Sequence, residues 1–417
     1  MAGSAPGERI TLEELTRDPH PAHARLREVA PVCWIPVLGG WLVTRRDLVI
    51  QVLSDPTTFT VDHPGFSTAQ VVGPSMLSLD GPMHRKHRRP FSTAFSTAFR
   101  RETGRAVHDQ FVGRLAATLV TGVRDRGAAE VRTELARPLA SGVMAAALGL
   151  GEVGGRRLAR WYVDIVGSVS AISAGLGPTP AGAAAFTQLR AAVIAALDDG
   201  STEAVSVLPW VRQAGLSSDE LASNAAVVMF GGIETTEGLI ATSVLHLLSH
   251  PDQARRARGR DDLLDRAVSE SLRLEPAAAR VDRYATQATL LAGEHIKAGD
   301  LVIASLAAAN RDPAAYPDPD RYDPDRPVTP HHQSFASGPH ACLGADLARA
   351  QAIAALRELL RLPGLRLDAS RSDAPRGLVF RKPDRVVATW SARTGPAPTA
   401  ARPSSEEDTT LKHGSRE

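Results

Sequence analysis

Apolar residues recur every three to four positions over most of the chain. That spacing predicts helices over 104–126, 129–149, 155–173, 182–198, 218–249, 261–274 and 343–361. The longest passes through Asn224-Ala-Ala-Val-Val-Met-Phe-Gly231-Gly232-Ile-Glu234-Thr235-Thr236 and reaches His250 without a proline. Period-two alternation is confined to short stretches. Val32 to Thr44 reads as a hairpin turned at Gly39-Gly40, and Glu294 to Ala304 as a second turned at Ala298-Gly-Asp. The fold class is therefore mainly α with small β-sheets (α+β). No internal repeat is present, and no Gly/Ser linker interrupts residues 9–392, so one integrated domain is expected there. Residues 1–8 read as a flexible N-terminus. Residues 393–417, rich in Pro, Ser, Thr and charge and free of aromatics, read as a disordered tail.

Composition narrows the class. A chain of 417 residues that is 43% hydrophobic can bury a substantial core. With 48 Lys+Arg against 46 Asp+Glu the net charge is +2, which gives no reason to expect a nucleic-acid partner. Two cysteines, Cys33 and Cys342, cannot build a disulfide framework and suit a reducing compartment, so a cytoplasmic location is expected. No apolar run reaches the roughly 20 residues of a membrane span; the longest candidate, Ala225 to Ile233, ends at Glu234.

The densest chemistry lies in Phe335-Ala-Ser-Gly338-Pro-His340-Ala-Cys342-Leu-Gly344, directly ahead of a helix expected to run from Leu343 to Leu362. A cysteine at a helix N-terminus has its thiol acidity increased by unpaired N–H groups and the positive dipole end. Gly338 and Gly344 remove side chains where a large flat ligand would approach the backbone. A lone intracellular cysteine is more often a buried structural residue. The spacing F-x-x-G-x-H-x-C-x-G outweighs that reading, because it resembles the haem-binding signature of the cytochrome P450 family.

The rest of the chain supplies further parts in the family's order, and the resemblance spans about residues 10–392. It implies a triangular-prism fold with haem b, iron protoporphyrin IX, between the Gly231 helix and the Cys342 helix. Cys342 becomes the thiolate ligand of the iron, its only protein metal ligand. Gly231 to Thr236 is similar to the family's oxygen-activation pattern A/G-G-x-D/E-T-T/S. Two adjacent glycines inside a helix cost about 1 kcal/mol each relative to alanine, which points to a groove there. The resemblance makes Thr235 the alcohol that steadies bound dioxygen and Glu234 the acid that feeds protons toward it. Glu270-Ser-Leu-Arg273 resembles the family's structural E-x-x-R pair, with Arg326 as third member. His84, Arg88, Arg283 and His340 match the family's suppliers of contacts to the haem propionates, and Phe335, Gly338 and Gly344 frame the cysteine. Arg85, Lys86 and Arg89 are expected to point outward and to suit an acidic electron donor.

The implied activity is monooxygenation of a small, mostly apolar molecule by hydroxylation or epoxidation. Two electrons come from NAD(P)H through a reductase and a ferredoxin or flavodoxin, and the second substrate is O₂. A bacterial protein without a membrane anchor, in secondary metabolism or catabolism, is expected. Oxidative coupling, peroxide-driven peroxygenation and, from another class, haem-based gas sensing are the alternatives; the Glu234–Thr235 pair and the absence of an output domain speak against the last two. The pocket is expected to be lined from residues 62–83, 165–200, Val228 to Glu234, Ala277 to Val281 and Val379-Phe380.

Overall fold

The computed structural model describes residues 6–173, 176–199, 205–327 and 331–392. The expected C-terminal tail and the first five residues lie outside that range, while Pro6–Arg9 forms a 3₁₀ turn with Gly7 buried against the Trp34 carbonyl.

The helix Ser218–Leu248 is the axis of the molecule. Ser217 and Glu220 close a reciprocal capping box at its start. From Leu221 to Leu248 it is buried on nearly every side, as expected of a helix apolar all round. Helices Arg137–Ala147, Gly155–Ser173, Pro180–Asp199, Asp261–Leu274 and Ala345–Leu360 pack around it. Pro180–Asp199 is long and apolar enough by composition to cross a membrane, contrary to the expectation that no run is. Alanines, with Arg190 alone among charged groups before Asp198, hide that length from a count of unbroken apolar runs. Gly182, Ala185, Leu189, Val193 and Leu197 form its buried stripe.

A five-stranded sheet flanks the helices in the order Val32–Ile35, Gly40–Val43, Leu301–Ser305, Arg280–Ala285, Phe59–Thr60. The first hairpin has its expected pairing, Trp34 opposite Trp41, but its connection is a 3₁₀ turn, Pro36–Leu38, ended by Gly39 at φ 59°. The expected hairpin over 294–304 does not form. Glu294–Ile296 pairs instead with Thr289–Leu291 across Ala292-Gly293, both at positive φ, as a two-residue reversal requires. Leu301–Ser305, a nearly continuous apolar run buried on both faces, takes the sheet centre, parallel to Gly40–Val43 and antiparallel to Arg280–Ala285.

Helix 129–149 also begins differently. Ala128–Glu130 is a strand paired with Val387–Thr389, Arg132–Ala136 is a π-turn, and the α-helix starts only at Arg137. Helical periodicity cannot separate these, because alanines satisfy either pattern.

Candidate functional site

The cysteine loop is pinned before it reaches Cys342. The Gln333 N–H donates to Asn310 Oδ1 (2.6 Å), the Ser334 hydroxyl to the Leu272 carbonyl (2.7 Å), and the Cys342 N–H to the Phe335 carbonyl (2.9 Å). Gly338 sits at φ 73° with the Leu53 carbonyl where a Cβ would be, so turn geometry and packing require it, not ligand approach. Gly344 does open space, with only Phe95 at 3.9 Å from a notional Cβ. The helix starts at Ala345, with Gly344 as its N-cap, so Cys342 stands ahead of the first turn. Contrary to expectation, burial pushes its thiol up, and the Gly344 N–H and Arg88 only partly offset that. The side chain lies deep among protein atoms yet is exposed, as a group facing an internal space would be. A thiol of this kind ionises when a metal takes the sulfur.

Gly231 and Gly232 play different parts. A Cβ on Gly231 would meet nothing within 4 Å, whereas one on Gly232 would collide with the Met144 sulfur. Only Gly231 opens a gap. The Thr235 hydroxyl bonds back to the Gly231 carbonyl at 2.6 Å, and the helix stays unbroken from 218 to 248. Beside the gap, Phe230 meets Phe380 edge to face with centroids 5.5 Å apart. The Ala279 N–H donates to the Val379 carbonyl and the Arg381 N–H to the Ala277 carbonyl, both at 2.9 Å. Segments 277–281 and 379–380 are thereby brought together.

Glu234 is not free to reach solvent. It is buried and ion-paired with Lys382 Nζ at 2.8 Å. The same ammonium lies 3.2 Å from Glu237, one turn on, which Arg137 (2.8 and 3.2 Å) and Arg132 (3.0 Å) also hold. Burial would raise the Glu237 carboxyl, but Arg137, Lys382 and Arg132 hold it below its usual value. The π-turn explains the double grip: on an α-helix residues five apart diverge by about 140°, and the wider i→i+5 turn brings Arg132 and Arg137 onto one side. Sequence reasoning missed Lys382, Glu237, Arg132 and Arg137. Arg381-Lys-Pro-Asp-Arg385 looks like a solvated charge run, and nothing local marks one of its members as buried.

Its neighbour Arg381 is the largest fully buried side chain among the described residues, bonded to Glu275 (2.5 Å) and to the Thr16, Gly377 and Pro375 carbonyls.

The residues expected to meet the propionates lie near one another. The His84 and His340 rings lie 4.3 Å apart, and His340 Nε2 is 2.8 Å from Asp80, which also accepts from Thr60 Oγ1 (2.7 Å) and the Val61 N–H (2.9 Å). Burial opposes the Asp80 charge, yet these donors hold the carboxyl at about 2. Burial, with His340 and Arg88, depresses His84 to about 4, and burial likewise lowers His340. Arg283 is buried and donates only to the Asp282 carbonyl (2.8 Å); burial lowers it to about 10. Arg88 donates to the Ala341 carbonyl. His84 Nε2 and His340 Nδ1 are buried without a partner. His84, His340 and Arg283 thus share the Asp80 carboxylate, with Arg88 on the Ala341 carbonyl beside them, a donor set that fits a dianionic ligand, whose arrival favours protonation of both rings. Arg85, Lys86 and Arg89 are exposed as expected, with Lys86 2.7 Å from Glu220.

Glu270 and Arg273 form a buried bidentate pair, both contacts 2.8 Å, and Arg326 Nε reaches Glu270 at 3.4 Å. Arg273 further donates to the Asn310, Pro319 and Arg321 carbonyls, tying the segment ahead of the cysteine loop to the core. A groove of about 670 Å³ between Phe99 and Arg357 contains none of the expected site residues; its charges are paired, as Arg100–Asp346 and Arg357–Asp261.

Residues 210–368 match the family model for cytochrome P450. The chain is 33% identical to mycinamicin IV hydroxylase/epoxidase of Micromonospora griseorubida, over 88% of this chain and 94% of that one. It is 33% identical to the cytochrome P450 monooxygenase PikC of Streptomyces venezuelae, over 86% and 87%. The crystal structure of CalO2 superposes with a TM-score of 0.80 at 28% identity, over 92% and 98%. With this fold and these relatives, the chain belongs to the cytochrome P450 family, as a bacterial-type monooxygenase whose cofactor is haem b.

Proposed function

We propose that Cys342 ligates the haem iron, that His84, Arg88, Arg283 and His340 hold the propionates, and that Thr235 and Glu234 deliver protons to the distal side. Thiolate-held haem supplies two-electron activation of O₂. The observation that carries this reading is an accessible sulfur set deep in the protein, together with the unpartnered His84 Nε2 and His340 Nδ1 beside buried Arg283. Phe335 and Gly344 frame the ligand loop, Gly338 fixes its turn, and Gly231 leaves room beside Thr235. Thr235 holds its hydroxyl proton on the Gly231 carbonyl and can turn it to an incoming acceptor. Glu234 takes protons from outside when it parts from Lys382. The walls near Phe230, Phe380 and Ala277 suit a small, mostly apolar substrate, hydroxylated or epoxidised. Residues 9–392 form the catalytic domain of a cytoplasmic enzyme, supplied by a ferredoxin or flavodoxin and an NAD(P)H reductase that dock near Arg85 and Arg89.

The test is turnover with ferredoxin, reductase, NADPH and O₂, set beside turnover with hydrogen peroxide alone. Reductase-driven product formation is expected to dominate; equal peroxide-driven rates would replace the reading with a peroxygenase. Thr235→Ala should lower product per NADPH consumed roughly tenfold or more, with hydrogen peroxide released in its place. Unchanged coupling would remove Thr235 from its role.

Lys382→Met leaves the Glu234 carboxylate buried without its cation and should cost about 3 kcal/mol of stability, read by chemical denaturation. Adding Glu234→Gln should recover most of that stability while coupling stays low, separating the fold from the proton path.

A further inference from the structure

Asn224 lies two turns ahead of Gly231 on the same stripe of the central helix. It is wholly buried and ties three segments together. Its side-chain oxygen accepts the Met76 N–H (2.8 Å), and its NH₂ donates to the Glu220 carbonyl (2.7 Å) and faces His87 Nδ1 (2.9 Å). His87 is buried on the helix Gly81–Phe99, and its Nε2 lies 3.2 Å from Glu220 Oε1, which also accepts from Lys86.

The polarity of this network is forced. The Met76 N–H can only donate, so oxygen faces it and the NH₂ group faces His87. Nδ1 must then accept, and the ring proton sits on Nε2, donating to Glu220. A second proton on the ring would set two donors against each other inside the core. The amide cannot flip to relieve this, because its NH₂ would then oppose the Met76 N–H. Glu220 favours the charged ring, but Lys86 already shares that carboxylate and the Nε2–H bond exists in either state. The helix Leu208–Val211 on Gly81–Phe99 brings no ionisable side chain, and Glu102–Val123 meets the far end of the same helix, with Gly104 against the Thr97 carbonyl and His108 against Phe99, so Glu220 and Lys86 are the charged groups in contact with His87.

We propose that Asn224, set by neutral His87, is a positioning residue for Ser75–Ser78, the segment it ties to the central helix two turns ahead of Gly231, and that a proton on His87 releases that segment. This rests on the reading above in one respect, that residues 62–83 line the substrate pocket.

The test uses the full-length holoenzyme at about pH 8 and about pH 5, either side of the ordinary histidine value. Amide hydrogen exchange of the peptide carrying Met76 is followed by mass spectrometry, with His87→Gln as reference at each pH. Glutamine can accept from Asn224 and donate to Glu220 whatever the pH. Relative to it, wild-type protection should fall roughly fivefold at the lower pH, the weight of one buried hydrogen bond. In Asn224→Asp a carboxylate faces His87, so the dependence should reverse, with better protection at the lower pH. Protection that ignores pH in both proteins, or shifts the same way in both, overturns the latch.

The pocket role is read with two iron-binding probes, imidazole and 4-phenylimidazole, by Soret shift. Taken relative to His87→Gln at the same pH, which cancels the titration of the probes themselves, the affinity of the larger probe against the smaller should follow the exchange in wild type and reverse in Asn224→Asp. A ratio indifferent to pH while exchange behaves as expected overturns the positioning role. A lack of spectral change with imidazole itself overturns the haem assignment instead, and exchange still decides the latch.

Discussion

Cys342→Ala is expected to give a folded protein that has lost the thiolate-type Soret band of the reduced, CO-treated enzyme and forms no detectable product. The loop should survive the change, because its hydrogen bonds come from Gln333, Ser334 and the Cys342 backbone N–H, none of which involves sulfur. The propionate cluster is likewise intact in this variant, so some haem should still bind, though without its sulfur ligand. Reduced CO spectra and haem content measured together distinguish the outcomes. A retained thiolate-type band would overturn the assignment, since Cys33, the other cysteine, is buried beside Trp34 in the β-sheet.

Arg273→Leu should be the most destabilising substitution considered, at about 3–5 kcal/mol for breaking a buried pair. Against a total stability of 5–15 kcal/mol for a typical domain, much of the protein should fail to fold or to retain haem, as thermal unfolding and haem recovery would show. Glu270 would keep only Arg326 and the Asp323 N–H, while three carbonyls lose a buried donor. Adding Glu270→Leu removes the stranded carboxylate but not the carbonyl deficit. Partial recovery is therefore expected, and full recovery would show that the ion pair alone matters.

The helices at 155–173 and 261–274 coincide with their predicted spans because strong apolar periodicity and clear stops agree there. Where several residue types recur at fixed spacing, as from Phe335 to Gly344 or Gly231 to Thr236, the sequence marks a candidate site directly. It fails where the decisive partner is remote and locally unremarkable. Lys382 lies in a run that reads as solvated, and only tertiary packing sets it against Glu234. The strand Leu301–Ser305 is misassigned for a related reason: adjacent alternating segments suggest a hairpin, but burial on both faces favours the sheet centre. Thiol acidity at Cys342 goes the other way from the helix-end argument because two residues separate it from the first helical turn and burial outweighs the nearby N–H groups.

Phe380, Arg381 and Lys382 are consecutive yet serve three separate ends: a wall beside the helix gap, an anchor in the core and the counter-charge of Glu234. Because the Arg381 side chain and the backbone bonds at Val379 and Arg381 fix the chain here, a change of side chain at 380 can reshape that wall while its neighbours keep their places. Loss or gain of one residue in this stretch would displace all three at once. Diversification of substrate choice in this lineage should therefore proceed at position 380 by point substitution, with length held constant through the segment.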